Sequence, residues 1–81
     1  MAKIEWQGLT ANIWYDDRDP SAAGWYAEYR DHEGVYSDSL KVWEGASMPT
    51  RRNASATAER YALRALKAEA RRRAQAAKAA P

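Results

Sequence analysis

Apolar and polar side chains alternate along the first half of the chain, as half-buried strands require. Between Leu9 and Tyr15, apolar residues occupy every second position, with threonine, asparagine and tryptophan between them. Four segments favour strands, and turn-forming residues such as Gly8, Pro20 and Gly34 separate them. The predicted strands are residues 3–6, 9–15, 25–30 and 35–43, and the last two form a hairpin around the turn at residues 31–34.

The pattern changes to a helical one in the second half. After Ala56 the chain has no glycine or proline until Pro81, and most residues are strong helix formers. Asn53 or Ser55 is suited to cap the helix N-terminus. Steps of about 100° per residue place apolar residues on one face and cations on the other. The apolar face holds Ala58, Ala62, Ala65 and Leu66, widened by Tyr61 and Leu63; the cations, which we call the basic stripe, are Arg60, Arg64, Lys67, Arg71 and Lys78.

These elements predict an α+β fold in a single domain spanning residues 1–81. A small antiparallel sheet of three to four strands (1–44) is followed by a loop (45–53) and one long C-terminal helix (54–78) packed on one face of the sheet. No large apolar residue follows Leu66, so we expect residues 70–81 to project past the sheet or fray.

The two faces of the predicted sheet have different roles. Strand alternation assigns one set of residues to the helix side: Ile13, Trp25, Ala27, Tyr29, Leu40 and Val42. It assigns another set to the open side: Trp14, Tyr26, Ser37, Ser39, Lys41 and Trp43. Large exposed aromatic residues are typical anchors of interfaces, so Trp14, Tyr26, Lys41 and Trp43 are candidates for binding a partner. Cross-strand aromatic pairing that only stabilises the sheet is the alternative, and a one-residue register slip would exchange the faces.

Charge is segregated along the chain, although the formal net charge is only +2. Residues 1–50 contain nine acids and four bases, net −5, whereas residues 51–81 contain nine bases and two acids, net +7. The basic stripe has almost no acids beside it, so it could follow a phosphate backbone or meet an acidic protein surface. The alternative is an ordinary solvated helix face.

Little in the sequence points to chemistry. The chain has no cysteine and one histidine, His32, which lies in a predicted turn without the partner and pocket that a general base needs. The acidic loop matches part of a calcium-loop spacing from Asp17, but Ala22 stands where such loops require glycine. We therefore predict no catalytic residue, no bound metal and no cofactor.

Nothing in the sequence indicates a membrane. Residues 1–7 lack the apolar run of a secretion signal, and no stretch approaches the roughly 20 apolar residues of a membrane span. These features favour a cytoplasmic protein without membrane contacts.

One family resemblance concerns residues 24–73. The hairpin Trp25-Tyr26-Ala27-Glu28-Tyr29-Arg30-Asp31 followed by an alanine- and arginine-rich helix resembles the arm-type DNA-binding domains of phage integrases. The resemblance implies DNA binding by a basic sheet, whereas the sheet region here is acidic.

The functional hypothesis is therefore a non-catalytic interaction protein that binds a larger protein or nucleoprotein complex. Its small size, segregated charge and lack of catalytic residues are typical of small phage or mobile-element inhibitors such as anti-CRISPR proteins. The alternative is a nucleic-acid-binding domain that uses the basic stripe.

Overall fold

The computed structural model describes residues 2–41 and 55–79, with side chains omitted for residues 39–41. Strands β1 (Ala2–Trp6), β2 (Leu9–Asp16), β3 (Gly24–Asp31) and β4 (Gly34–Lys41) precede helix α1 (Ser55–Ala79). A short 3-10 helix, Pro20–Ala22, lies between β2 and β3. The strands form one antiparallel sheet in the order β1-β2-β3-β4. The predicted α+β fold class is confirmed, with four strands in the sheet.

Two tight turns set the strand register. Gln7 and Gly8 join β1 to β2 with positive φ values of 49° and 84°, the pattern of a two-residue type I′ turn. At the β3–β4 hairpin, Asp31 Oδ1 accepts a hydrogen bond from the Glu33 amide at 2.8 Å, and Gly34 has a φ of 125°. Glycine adopts this positive φ without the steric cost of a Cβ, so Gly34 suits the predicted turn at residues 31–34.

The core lies between the sheet and α1. Its central cluster combines small residues, which allow the helix to approach the sheet closely, with larger ones that fill the space around them. The cluster consists of Leu9, Ala11, Ile13, Ala27, Tyr29, Ala62 and Leu66. Ile13, Trp25, Ala27 and Tyr29 are all buried, so their predicted placement on the covered face is confirmed. Leu40 pairs in register with Ala27, and Val42 lies outside the described residues.

The β3–β4 pairing contains two register irregularities, on either side of Tyr29. Ser37 therefore pairs with the buried Tyr29 and lines a recess with Ala65 and Glu69 of the helix. Simple alternation predicted Ser37 on the open face, which is wrong because a bulge shifts the alternation by one residue.

The C-terminal part of α1 docks further than predicted. Ala70 packs against the core cluster, and Arg73 reaches the sheet. The helix continues to Ala79, and residues 74–79 are exposed. The expectation that projection begins at residue 70 is therefore wrong for residues 70–73, because Ala70 packs on the core and an ion pair attaches Arg73 to Asp31. The predicted capping residue Asn53 lies outside the described residues.

Within the described part of the chain, no helix combines the length and apolar character needed to cross a membrane.

Candidate binding surfaces

The basic stripe runs along the exposed side of α1. Helical geometry places its five cations within an arc of about 60° and along about 27 Å, from Arg60 to Lys78. All five side chains are exposed. The sheet region and the helix carry net charges of opposite sign. Residues 2–41 contain eight acids and four bases, whereas residues 55–79 contain seven bases and two acids.

Two cations of the stripe rest on aromatic rings. Lys67 Nζ lies 4.7 Å from the ring centroid of Trp6 in β1, and Arg64 Cζ lies 5.2 Å from that of Tyr61. Cation–π contacts of this kind hold a long side chain in place while leaving its hydrogen-bond donors accessible. No local sequence pattern indicates that Trp6 belongs to this surface, because residues 6 and 67 meet only in the folded chain.

No carboxylate of residues 2–41 or 55–79 forms an ion pair with a member of the stripe. Glu69 instead binds Arg72 and Arg73, neither of which belongs to the stripe. Within the described residues, the cations of the stripe are therefore not paired with carboxylates.

Arg73 joins the helix to the sheet. Its guanidinium lies 2.9 Å from Asp31 Oδ2 and 2.8 Å from Glu69 Oε2, and Cζ lies 4.9 Å from the Tyr36 ring centroid.

The hydrogen bond from Arg73 lowers the pKa of Asp31, aided by the Glu33 amide. Hydrogen bonds from Arg73 and then Arg72 lower the pKa of Glu69. Burial, followed by the Glu69 charge, raises the pKa of the Tyr36 hydroxyl. We call Arg73 and its three contacts, Asp31, Glu69 and Tyr36, the Arg73 anchor.

On the open sheet face, Trp14 stacks on its cross-strand neighbour Tyr26 with ring centroids 6.3 Å apart. The Tyr26 hydroxyl also donates a hydrogen bond to the Ala22 carbonyl oxygen at 2.5 Å. Both aromatic residues are half-buried. The other two candidates are less defined: Lys41 pairs in register with Tyr26, and Trp43 lies outside the described residues. The contacts of Trp14 and Tyr26 favour the interpretation as a stabilising cross-strand pair.

An open depression adjoins this pair. It is lined by Ala2, Lys3, Asn12, Trp14 and Glu28. Lys3, Asn12 and Glu28 form one row across three strands, and Glu28 is bound by Arg30 at 2.6 Å. Both a cation and a carboxylate are present here, so this face lacks the single-sign charge of the stripe.

The residues considered for chemistry have structural contacts or are exposed. His32 is 83% exposed, and its Nε2 lies 3.8 Å from Glu33 Oε1. Asp19 accepts hydrogen bonds from the Ser21 amide and hydroxyl. Arg18 lowers the pKa of Asp16 to about 2 through hydrogen bonds from its side chain and amide. Within the segments that the structure describes, no three potential ligand side chains are placed to hold a metal ion.

Comparisons of this chain with protein-family models, with curated proteins and with solved structures gave no match. The surfaces of the molecule itself therefore supply the evidence for its function.

Proposed function

We propose that this chain is a non-catalytic interaction protein that binds an anionic surface of a larger protein or nucleoprotein complex through the basic stripe. The observation that carries the proposal is a line of five exposed cations without a described carboxylate partner. A helix that is merely solvated usually mixes both signs of charge on its outer face.

The other candidate surface has weaker support. Trp14 and Tyr26 are already engaged with each other and with the loop before β3. Because both side chains are already half-buried, less of their apolar area remains to be buried on binding, so they supply less binding free energy.

A protein of this kind acts by occupying a surface. Its small size and its lack of an identified catalytic group are consistent with an inhibitor from a phage or mobile element, of the anti-CRISPR type, which blocks a larger complex by docking. The inhibitor role forms part of the proposal.

The test compares affinity capture from a host extract by the wild type and by a quadruple stripe variant, Arg60→Gln, Arg64→Gln, Lys67→Gln and Arg71→Gln. A matched control removes the same charge from the sheet region: Lys3→Gln, Arg18→Gln, Arg30→Gln and Lys41→Gln. We expect a specific partner, identified by mass spectrometry, to be lost with the stripe variant and kept with the control.

Capture that survives the stripe variant but disappears with Trp14→Ala would assign binding to the open sheet face and refute the proposal. Equal loss with the stripe variant and the control would refute it too, since net charge alone would then explain capture.

A further inference from the structure

The basic stripe has features that distinguish among anionic partners. We infer that it binds the phosphate backbone of double-stranded nucleic acid, without sequence-specific base contacts. The inference rests on the proposed function and names the chemical class of its partner.

The first observation is the spacing of the cations. Successive members of the stripe are separated by four, three, four and seven residues, or about 6, 4.5, 6 and 10.5 Å along the helix axis. Three of the five are arginine, whose planar guanidinium binds phosphate in a bidentate manner. A duplex carries a negative charge about every 1.7 Å of its axis, counted over both strands, so its linear charge density exceeds that of the stripe.

The second observation is the small apolar area along the stripe, where the exposed ring of Tyr61 already lies under Arg64. Residues that lie among the cations are small or polar: Ala56, Thr57, Ala74 and Gln75. Leu63 lies at the margin and is half-buried. Protein interfaces generally have aromatic or apolar anchors at their centre and are depleted in lysine. The stripe therefore fits a phosphate backbone better than an acidic protein surface.

The third observation concerns the aromatic rings beside the stripe. Single-stranded nucleic acids are held largely by bases stacking on exposed aromatic rings. Here Lys67 lies over the ring of Trp6 and Arg64 over that of Tyr61. Both rings are already engaged by cations of the stripe, so a duplex fits better than a single strand.

The layered fold removes the objection raised by the acidic sheet. Because α1 packs on one face of the sheet, carboxylates on the open face, such as Glu5 and Glu28, lie on the side of the molecule away from the stripe. Docking through the helix keeps these groups away from the phosphates, whereas docking through the sheet would bring them together.

The inference is tested by fluorescence anisotropy with a labelled mixed-sequence DNA duplex of about 20 base pairs, over about 50–200 mM salt. Four to five phosphate contacts predict a log–log slope of about −4 and a fall in affinity of about 10²-fold over that range. A duplex of scrambled sequence and an RNA duplex should bind in the same way, and the matching single strand should bind more weakly.

Single variants connect the binding to the stripe. Arg60→Gln and Arg71→Gln should each reduce the magnitude of the salt slope by about 1. Arg18→Gln is the matched control, because its side chain is 89% exposed and lies outside the stripe. The control should leave the slope unchanged, and circular dichroism should show that every variant is folded.

The inference would be overturned if no salt-dependent binding of a duplex were found, if Arg18→Gln had an equal effect, or if the single strand bound more tightly. Binding of poly-glutamate as tightly as the duplex would assign the stripe to acidic protein surfaces. A host protein whose capture survives nuclease treatment and still depends on the stripe would uphold the proposed function while refuting the duplex as partner.

Discussion

At the scale of single residues, the β1–β2 turn requires a backbone conformation that residues other than glycine rarely adopt. Gln7 has a φ of 49°, although it is not a glycine, and it is followed by Gly8 at 84°. A left-handed conformation brings Cβ close to the following carbonyl oxygen and costs about 1–2 kcal/mol for most residues. Asparagine tolerates this conformation better and is preferred with glycine in such turns.

We predict that Gln7→Asn raises the free energy of unfolding by about 0.5–1 kcal/mol, measured by urea denaturation. The companion variant Gly8→Ala should lower it by about 1–2 kcal/mol, because alanine is strained at a φ of 84° even though space is open around its Cβ. A neutral or destabilising effect of Gln7→Asn would mean that strain at this turn does not limit stability.

At the scale of elements, the helix is attached to the sheet in two ways. Leu66 and Ala62 are completely buried against the sheet, whereas further along the helix Arg73 provides an ionic attachment. Helical periodicity places Glu69 about 180° from the stripe, where it pairs with Arg72 and Arg73.

The Arg73 anchor predicts a pH dependence of stability. Asp31 and Glu69 have lowered pKa values in the folded protein, so their contribution is present above their unfolded pKa values and is lost as the pH falls through the folded ones. We expect Arg73→Met to reduce the loss of unfolding free energy between about pH 6 and pH 2.5, because both carboxyl groups then titrate nearer their ordinary values. Urea denaturation at several pH values measures this dependence.

Arg71→Met is the matched control for this experiment, since Arg71 forms no ion pair with a carboxylate of the described residues. It should keep the pH dependence of the wild type. If Arg73→Met also kept it, other carboxyl groups would account for the acid lability.

At the scale of the whole molecule, charge and packing are distributed over different surfaces. The core lies between the sheet and the helix, the acidic groups lie mainly on the sheet and its loops, and the stripe faces solvent on the opposite side. Removing the stripe should therefore affect binding without disturbing the fold.

We predict that the quadruple stripe variant keeps its unfolding free energy within about 1–2 kcal/mol of the wild type, since single exposed substitutions usually change stability by about 0.5 kcal/mol or less. Denaturation and circular dichroism measure this directly. Unfolding of the variant would show that the cations support the fold, most plainly through the contact of Lys67 with Trp6.

Much of the fold could be predicted from the sequence because its causes are local. Alternation at residues 9–15 specifies a strand, the turn ending at Gly34 specifies a hairpin, and the alanine-rich segment after Ser55 specifies a helix with cations on one side. The residues of the basic stripe were predictable for the same reason, since helical periodicity alone places them together.

The tertiary structure decided the contacts between residues far apart in sequence. It joined Arg73 to Asp31 and Lys67 to Trp6, and the bulge in the β3–β4 pairing moved Ser37 to the helix side. These contacts depend on register, helix position and the direction of long side chains, which no local pattern encodes. The sequence by itself determined that a basic stripe exists; the packing of helix on sheet determined which carboxylates are kept away from it and which aromatic rings support it.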